Sequence, residues 1–365
     1  MKNTLSLILV FVILLLSVSA ANAADKPNDI PVLSMEDIPE TPKGMHHYFL
    51  ICIDAETDYI KNQIKKTGHM WDFHTDGMML ITLDESTQRV MVTTFNREIL
   101  IQRPDGKFGR INNFLDHDGW AYAYDKTTLE AIQGLIDTIN THFALRIEKF
   151  IVVDFSQVQK ILDTIGGIDI TLTSKEKKRI ESYGTTIQEK NSDGTYHLSG
   201  YQAVLYMRIR KNTATEKYMH EDGHVYSDND TNGRTYRSRK VASTVAEKLK
   251  NISLGEATDL LDLILVNLWY TNMTTDDFIN ALYIAMQLRG VPVAHINMPV
   301  TNPSKQKDDG SWYEETPSLK DFNKGNRSYC SIGYAGMAVL QVNYDLNRKA
   351  LWDFLLDSFV VVDEE

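Results

Sequence analysis

The chain is poor in cysteine, in excess positive charge and in long apolar runs, and each shortage excludes a class of protein. Two cysteines among 365 residues, Cys52 and Cys330, are too few for a disulfide scaffold or a cysteine-ligated zinc site. Cys52 lies within an apolar, strand-like run, so a buried free thiol is its plainer reading. A Cys52–Cys330 bridge is the alternative in an exported protein. Basic residues number 38 against 49 acidic ones, a formal net charge of −11. Such a chain has no general excess of cations to release counterions from phosphates, so no nucleic-acid partner is expected. Beyond residue 23, polar residues interrupt every apolar segment, and no second membrane span is expected. The G-x-S-x-G, H-E-x-x-H and G-x-x-x-x-G-K-[ST] signatures are missing, as are internal repeats and low-complexity tracts. What remains is a globular composition, 43% hydrophobic and 24% charged, which excludes global disorder.

The chain opens with Lys2, an apolar run from about residue 5 to residue 18, and the small-residue triplet Ala21-Asn22-Ala23. Residues 1–23 therefore read as a secretory signal peptide. The run is shorter than the roughly 20 apolar residues of a typical span; an uncleaved anchor is the other reading. Both place the rest of the chain outside the cytoplasm, secreted or anchored to the outer face of the cytoplasmic membrane. Residues 24–45 carry Asp25, Pro27, Pro31, Pro39 and Pro42 with few large apolar groups, and are expected to form an exposed linker.

After the linker, strand-like and helix-like segments alternate. Residues 47–53 (HYFLICI) are a continuous apolar run short enough for a buried strand. Residues 77–83 and 89–95 flank the polar turn Asp84-Glu85-Ser86-Thr87 and read as a hairpin. Over 126–141 a helix places Leu129, Ile132, Ile136 and Ile139 on one face. Residues 150–155 read as a second buried strand. Ser156 and Gln159 then show capping-box spacing, and Gly166-Gly167 stop the helix. Ser199 and Gln202 repeat the capping-box spacing, and residues 211–233 are polar and loop-like. Helices are expected over 235–249, 257–268, 276–288 and 345–354, with a strand over 293–298. This alternation predicts a layered α/β fold, one domain over 46–358 with a short tail at 359–365.

Chemistry concentrates in a few places. The histidines are scattered: His46 and His47 face opposite sides of a strand, and His69 and His74 lie in a loop. Arginines cluster instead, with Arg208 and Arg210 in one segment and Arg234, Arg237 and Arg239 in the next. Guanidinium groups grip phosphate oxygens bidentately, and a helix start adds backbone N–H donors. Arg234 and Arg237, three apart, share a face if helical. Paired surface charge is the bland alternative. Asp54 ends the first strand and Asp76 begins the second, where two carboxylates can share a divalent cation with phosphate oxygens. Asn96-Arg97-Glu98 follows the strand ending at Phe95 and aims an arginine at the cleft of an α/β domain.

Taken in order, these segments resemble the LytR–CpsA–Psr family of cell-wall glycopolymer ligases. The family's R-S-D-T before an apolar strand is similar to His74-Thr75-Asp76-Gly77, and its P-R-D to Asn96-Arg97-Glu98. Its K-I-N-x-A resembles Arg110-Ile111-Asn112-Asn113-Phe114, and its D-F with a later G-G resembles Asp154-Phe155 with Gly166-Gly167. The L-x-G-x-Q-A-L-x-Y-x-R-x-R pattern matches residues 198–210 almost throughout, and G-R-x-x-R-Q is similar to residues 233–238. The resemblance implies a central mixed β-sheet flanked by helices, with an apolar groove for a polyprenyl chain. It implies transfer of a glycosyl phosphate from a polyprenyl-pyrophosphate carrier to a hydroxyl of peptidoglycan or another wall acceptor at the membrane surface. Carried over residue by residue, it makes Arg97, Arg208, Arg210, Arg234 and Arg237 a pyrophosphate clamp. Asp54 and Asp76 become ligands of Mg²⁺ or Mn²⁺, and Glu98 or Asp230 the general base. The departures are His74 for arginine, Glu98 for aspartate, Ser238 for glutamine, Thr231 where an acid is expected, and an insertion near 57–72. They keep open two other readings, a non-catalytic binder of polyprenyl phosphate or glycan and a pyrophosphatase of the same lipid-linked glycan.

Overall fold

Strand β1, Met45–Ile53, alternates strictly between buried and half-buried residues. Met45, His47, Phe49, Ile51 and Ile53 face a packed core, while Tyr48, Leu50 and Cys52 line a large cavity. The run is apolar at nearly every position because both faces of the strand meet apolar surroundings, only one of them filled. Strands β2 (Thr75–Asp84), β3 (Arg89–Phe95), β4 (Lys149–Asp154), β5 (Tyr270–Thr271) and β6 (Val293–Met298) complete a six-stranded sheet in the order β5-β4-β1-β2-β3-β6. The pairs β1–β2, β2–β3 and β5–β4 are antiparallel, and β1–β4 and β3–β6 are parallel. The expected hairpin is thus present, and the sheet is mixed as expected.

The filled face packs on helices α1 (Thr128–Phe143) and α8 (Tyr344–Leu356). Ile132, Leu135, Ile136, Ile139 and Phe143 of α1 and Leu351 and Leu355 of α8 belong to that core. Leu129, expected on the inner stripe, is instead 53% exposed in the first turn. The open face is covered by α5 (Thr231–Leu249), α6 (Leu254–Asn267) and α7 (Thr275–Gln287).

After β4 comes α2 (Phe155–Thr164), which with α3 (Ser174–Glu181) and α4 (Gly200–Met207) builds a second small core around Leu162, Ile180, Leu198 and Tyr206. The N-cap of α2 is Asp154, not Ser156. Its carboxylate accepts from Gln157 N–H at 2.8 Å while the Gln157 side chain accepts from Asp154 N–H at 2.9 Å, a capping box two residues earlier than the spacing at Ser156 indicated. Aspartate caps as well as serine, so both spacings were legitimate. Gly166 and Gly167, at φ +76° and +70°, end this helix as expected. Gly200 opens α4 where it crosses α2 closely: an added Cβ would lie 2.1 Å from the Gln159 carbonyl oxygen. Ser199 caps α4 in the expected box with Gln202.

The structure describes residues 27–54, 62, 65–66, 73–116, 123, 126–209, 217–219, 225–227, 231–250, 252–268 and 270–356. The signal peptide expected at 1–23, the tail at 359–365, Arg210, Asp230, His69 and most of the insertion expected at 57–72 lie outside the described residues. No helix among the described residues is long and apolar enough to cross a membrane. From residue 27 the segment expected to be an exposed linker lies against the domain. Ile30 and Ile38 are buried, and Arg146 donates to the carbonyls of Pro39 and Ile38 at 3.1 and 2.9 Å. The two isoleucines anchor a proline-rich stretch that composition alone marks as solvated. Both cysteines are free, and Cys330 sits in a separate cluster with Leu100 and Phe322. Helix α5 begins at Thr231, four residues earlier than expected.

Two buried histidines make the fold sensitive to acid. His142 donates from Nδ1 to the Thr138 carbonyl (2.7 Å), and its Nε2 accepts from Gln102 N–H (3.1 Å). Burial pushes its pKa down to about 4, and that of His47 likewise. A folded-state pKa below the ordinary 6.5 favours the neutral ring in the fold. The stabilisation is complete above pH 6.5 and is lost as pH falls toward 4, by about 1.4 kcal/mol per pH unit for each ring. Replacing His142 by glutamine should flatten the decline in urea midpoint between pH 6.5 and 4; an unchanged slope would rule out this origin.

Candidate functional site

The register of the sheet brings the end of β1, the start of β2 and the ends of β3 and β4 to one edge. Between Cys52 and Ile53 the pairing with β2 slips: Cys52 faces Gly77 and Ile53 faces Thr75, so Asp76 is the extra residue of a bulge. Bulges re-aim side chains, and this one turns Asp76 to the cavity mouth. Asp54 lies beside it. Its carboxylate accepts from His74 N–H at 2.9 Å, and its other oxygen stands 3.5 Å from His74 Nδ1. His74 Nε2 is 3.7 Å from Asp116. The hydrogen bond to Asp54 raises the His74 pKa above its ordinary value, with Asp116 and Asp76 acting in the same sense against partial burial. The raised pKa favours the cationic ring more than in a free histidine, at the position where the resembled motif has arginine.

Three of the predicted arginines converge here. Arg97, just past β3, donates to Asp76 Oδ1 at 2.7 Å, and Arg234, in the first turn of α5, donates to Asp76 Oδ2 at 3.0 Å. The side chains of Asp76, Arg97 and Arg234 are largely buried. Arg208, directly after α4, is exposed and stacks its guanidinium 4.6 Å from the Phe155 ring centre, a cation–π contact that holds it toward the mouth. Asp54, Asp76, Arg97, Arg208 and Arg234 all line one cavity of about 1870 Å³. Away from this polar end the walls are mostly apolar: Leu50 and Ile81 from the sheet, Val245 from α5, Leu261 from α6 and Leu282 from α7 are among them. Cys52 lines it too, but burial pushes its thiol up to about 12, which keeps it protonated and unsuited to nucleophilic attack.

Two predicted site residues stand elsewhere. Arg237 is fully buried and off the cavity. Its guanidinium donates to the Ile209 carbonyl at 3.1 Å and lies 3.7 Å from the buried Glu176 of α3. Three residues apart on one helix, Arg234 and Arg237 diverge because Asp76 attracts one long side chain and Glu176 the other. Arg237 therefore fixes the chain next to Arg208 rather than gripping a ligand. Glu98 is not among the cavity-lining residues; it accepts from Arg110 at 3.1 Å. Two contributors had no role assigned from sequence. The Asn112 amide, in the segment resembling K-I-N, is 3.5 Å from Asp76 Oδ1, so its motif was legible although its partner was not. Asp116 meets His74 only through the fold, and no sequence spacing announces it.

Among the described residues, no group of three or more His, Cys, Asp or Glu side chains is arranged to hold a metal. Asp54 and Asp76 offer two carboxylates at one edge. That donor set suits Mg²⁺ or Mn²⁺ when phosphate oxygens and water complete the shell. The contrast between the two buried and exposed arginines is measurable. Arg237→Met should cost about 3–5 kcal/mol in denaturant unfolding, because the buried Glu176 carboxylate loses the guanidinium beside it. Arg208→Ala should cost about 1 kcal/mol or less; equal costs would contradict the division of roles.

Comparisons with known proteins bear on the family and the fold. The chain is 25% identical over 182 residues to Biofilm regulatory protein A of Streptococcus mutans, covering 49% of this chain and 39% of that protein. It is 26% identical over 204 residues to the polyisoprenyl-teichoic acid–peptidoglycan teichoic acid transferase TagU of Bacillus licheniformis, covering 55% of each. The matches thus span about half the length of these relatives or less. The structure of YwtF (TagT) of Bacillus subtilis, a LytR-CPS2A-psr family protein with bound octaprenyl pyrophosphate lipid, superposes with a TM-score of 0.51 at 14% identity, over 88% of this chain and 95% of that one; it shares the fold. The LytR_cpsA_psr family profile matches residues 49–327, and the chain belongs to that family.

Proposed function

We propose that this protein is an extracytoplasmic phosphotransferase that moves a glycosyl phosphate from a polyprenyl-pyrophosphate carrier to a hydroxyl of the cell wall. One observation carries the reading: Arg97, Arg208 and Arg234 stand at the polar end of an apolar cavity of about 1870 Å³. An isoprenoid chain gains about 0.8 kcal/mol for each CH₂ it buries, and its pyrophosphate then lies at the arginines. The names of the relatives support the substrate class, since TagU is a teichoic acid transferase and YwtF (TagT) holds octaprenyl pyrophosphate. Peptidoglycan as acceptor, the membrane surface as workplace and export through residues 1–23 belong to the same proposal.

The chemistry follows from charge placement. The acceptor oxygen forms a bond to the sugar-side phosphorus. The bridging P–O bond breaks, polyprenyl phosphate leaves, and the hydroxyl proton ends on solvent or the released phosphate. Phosphoryl transfer needs alignment and neutralisation of charge more than covalent help. Arg97 and Arg234, pre-positioned by Asp76, bind phosphate oxygens in fixed directions, and Arg208 reaches the same group from the end of α4. Arg210 joins this clamp by its place in the motif. Mg²⁺ or Mn²⁺, held by Asp54 and Asp76, would supply Lewis-acid neutralisation of the phosphates.

The position of Glu98, held by Arg110 off the cavity lining, favours a second reading, a binder of the lipid-linked glycan without turnover. Arg208→Ala and Arg210→Ala, each with an unchanged melting curve, should lose transfer by about 100-fold or more while still retaining prenyl lipid in native mass spectrometry. Full transfer activity in both variants would sink the clamp. Lipid retention by the wild type with no metal-dependent turnover would select the binder, and release of free glycosyl phosphate to water a pyrophosphatase.

A further inference from the structure

Asp76 is claimed twice, as counter-ion of two arginines and as a candidate metal ligand. Its Oδ1 accepts from Arg97 at 2.7 Å and its Oδ2 from Arg234 at 3.0 Å, with the Asn112 amide 3.5 Å from Oδ1. The side chains of Asp76, Arg97 and Arg234 are only 9%, 17% and 13% exposed, so solvent screens their charges weakly. The three together carry net positive charge, and each carboxylate oxygen already faces a guanidinium. A divalent cation approaching this carboxylate meets two fixed cations before it meets a lone pair. Asp54, the other candidate ligand, has one oxygen committed to His74 N–H at 2.9 Å.

From this geometry we infer that Asp76 couples metal binding to pyrophosphate binding. In the free protein it serves Arg97 and Arg234, and it becomes a metal ligand only when pyrophosphate oxygens take those two guanidinium groups over. The inference rests on the functional reading above. A pyrophosphate brings several negative charges and a fork-shaped set of acceptors that suits guanidinium better than a single carboxylate does. The same group supplies oxygens to complete the metal shell. Coupling of this kind is reciprocal, so the metal tightens the pyrophosphate by the factor by which pyrophosphate tightens the metal. The arginines therefore act as a guard against idle metal occupancy as well as a clamp.

The test uses the full-length protein in detergent, with Mn²⁺ as probe read by electron paramagnetic resonance and farnesyl pyrophosphate as the lipid. Wild type should bind Mn²⁺ at least about tenfold more tightly when saturated with farnesyl pyrophosphate than without it. Asp76→Asn sets the background for Mn²⁺ chelated by the lipid itself and should show no such gain. Arg97→Gln and Arg234→Gln should each bind Mn²⁺ alone several-fold more tightly than wild type, because a competitor for the carboxylate is gone; using both guards against one failing to fold. Bound farnesyl pyrophosphate with unchanged Mn²⁺ affinity, or no tightening in either folded glutamine variant, would overturn the coupling alone. No binding of farnesyl pyrophosphate would overturn the functional reading, and the coupling with it.

Discussion

The structure depends on a sheet that is apolar on both faces while only one face has a packed partner. On one side Phe49, Ile51 and Ile53 meet α1 and α8 in a dense core. On the other, Leu50 and Ile81 look into open space. Ordinary folding would close that space, since unfilled apolar surface forgoes dispersion and leaves hydration unfavourable. Here α5, α6 and α7 stand off from the sheet and keep a cavity of about 1870 Å³. Under the proposed reading, an entering prenyl chain regains that missing stabilisation and ties fold stability to its ligand.

A second constraint holds the mouth of that cavity open and charged. Three guanidinium groups close together would repel one another and splay into solvent. Asp76 prevents this for two of them by standing between Arg97 and Arg234, and Phe155 gives the third a face to lie on. The Asp76–Arg234 pair joins the sheet to the first turn of α5, one of the helices over the open face. Binding site and cavity roof are thereby built from the same contact. Deeper in, Arg237 and Glu176 join α5 to α3 and hold the Ile209 carbonyl, so the backbone beside Arg208 is placed by a buried ion pair that never touches the cavity.

Much of the architecture was legible because local rules act over a few residues. The hairpin, the stop at Gly166-Gly167, the Ser199–Gln202 box and the strand at 293–298 each rest on spacing or on glycine geometry. The cap of α2 was misplaced by two residues because Asp154 and Ser156 both head a plausible box, and only backbone direction chooses between them. Leu129 was assigned to the inner face by periodicity, yet it lies in the first turn and stays 53% exposed. Of the residues singled out from sequence, Arg97, Arg208, Arg234, Asp54 and Asp76 come together on one cavity. Arg237 lies off the cavity beside Glu176; helical spacing says which residues share a face and not which partner draws a long side chain away.

By itself the sequence determined the α/β class, the order of most of the larger elements, the motifs that carry the arginines, and an acidic chain in which positive charge is concentrated rather than spread. These follow from composition and short-range spacing, which act through neighbours on the chain. The tertiary structure alone decided which arginines point into the cavity, that Glu98 turns to Arg110, that His74 sits between Asp54 and Asp116, and that the proline-rich segment is docked. The ionic contacts depend on which charge lies within about 4 Å across a long sequence separation, where electrostatic attraction in a poorly solvated setting is strong enough to choose, and the docked segment depends on burial of Ile30 and Ile38. Apolar runs read alike whether they meet packed side chains or an open cavity, so the cavity itself was visible only once the helices were in place.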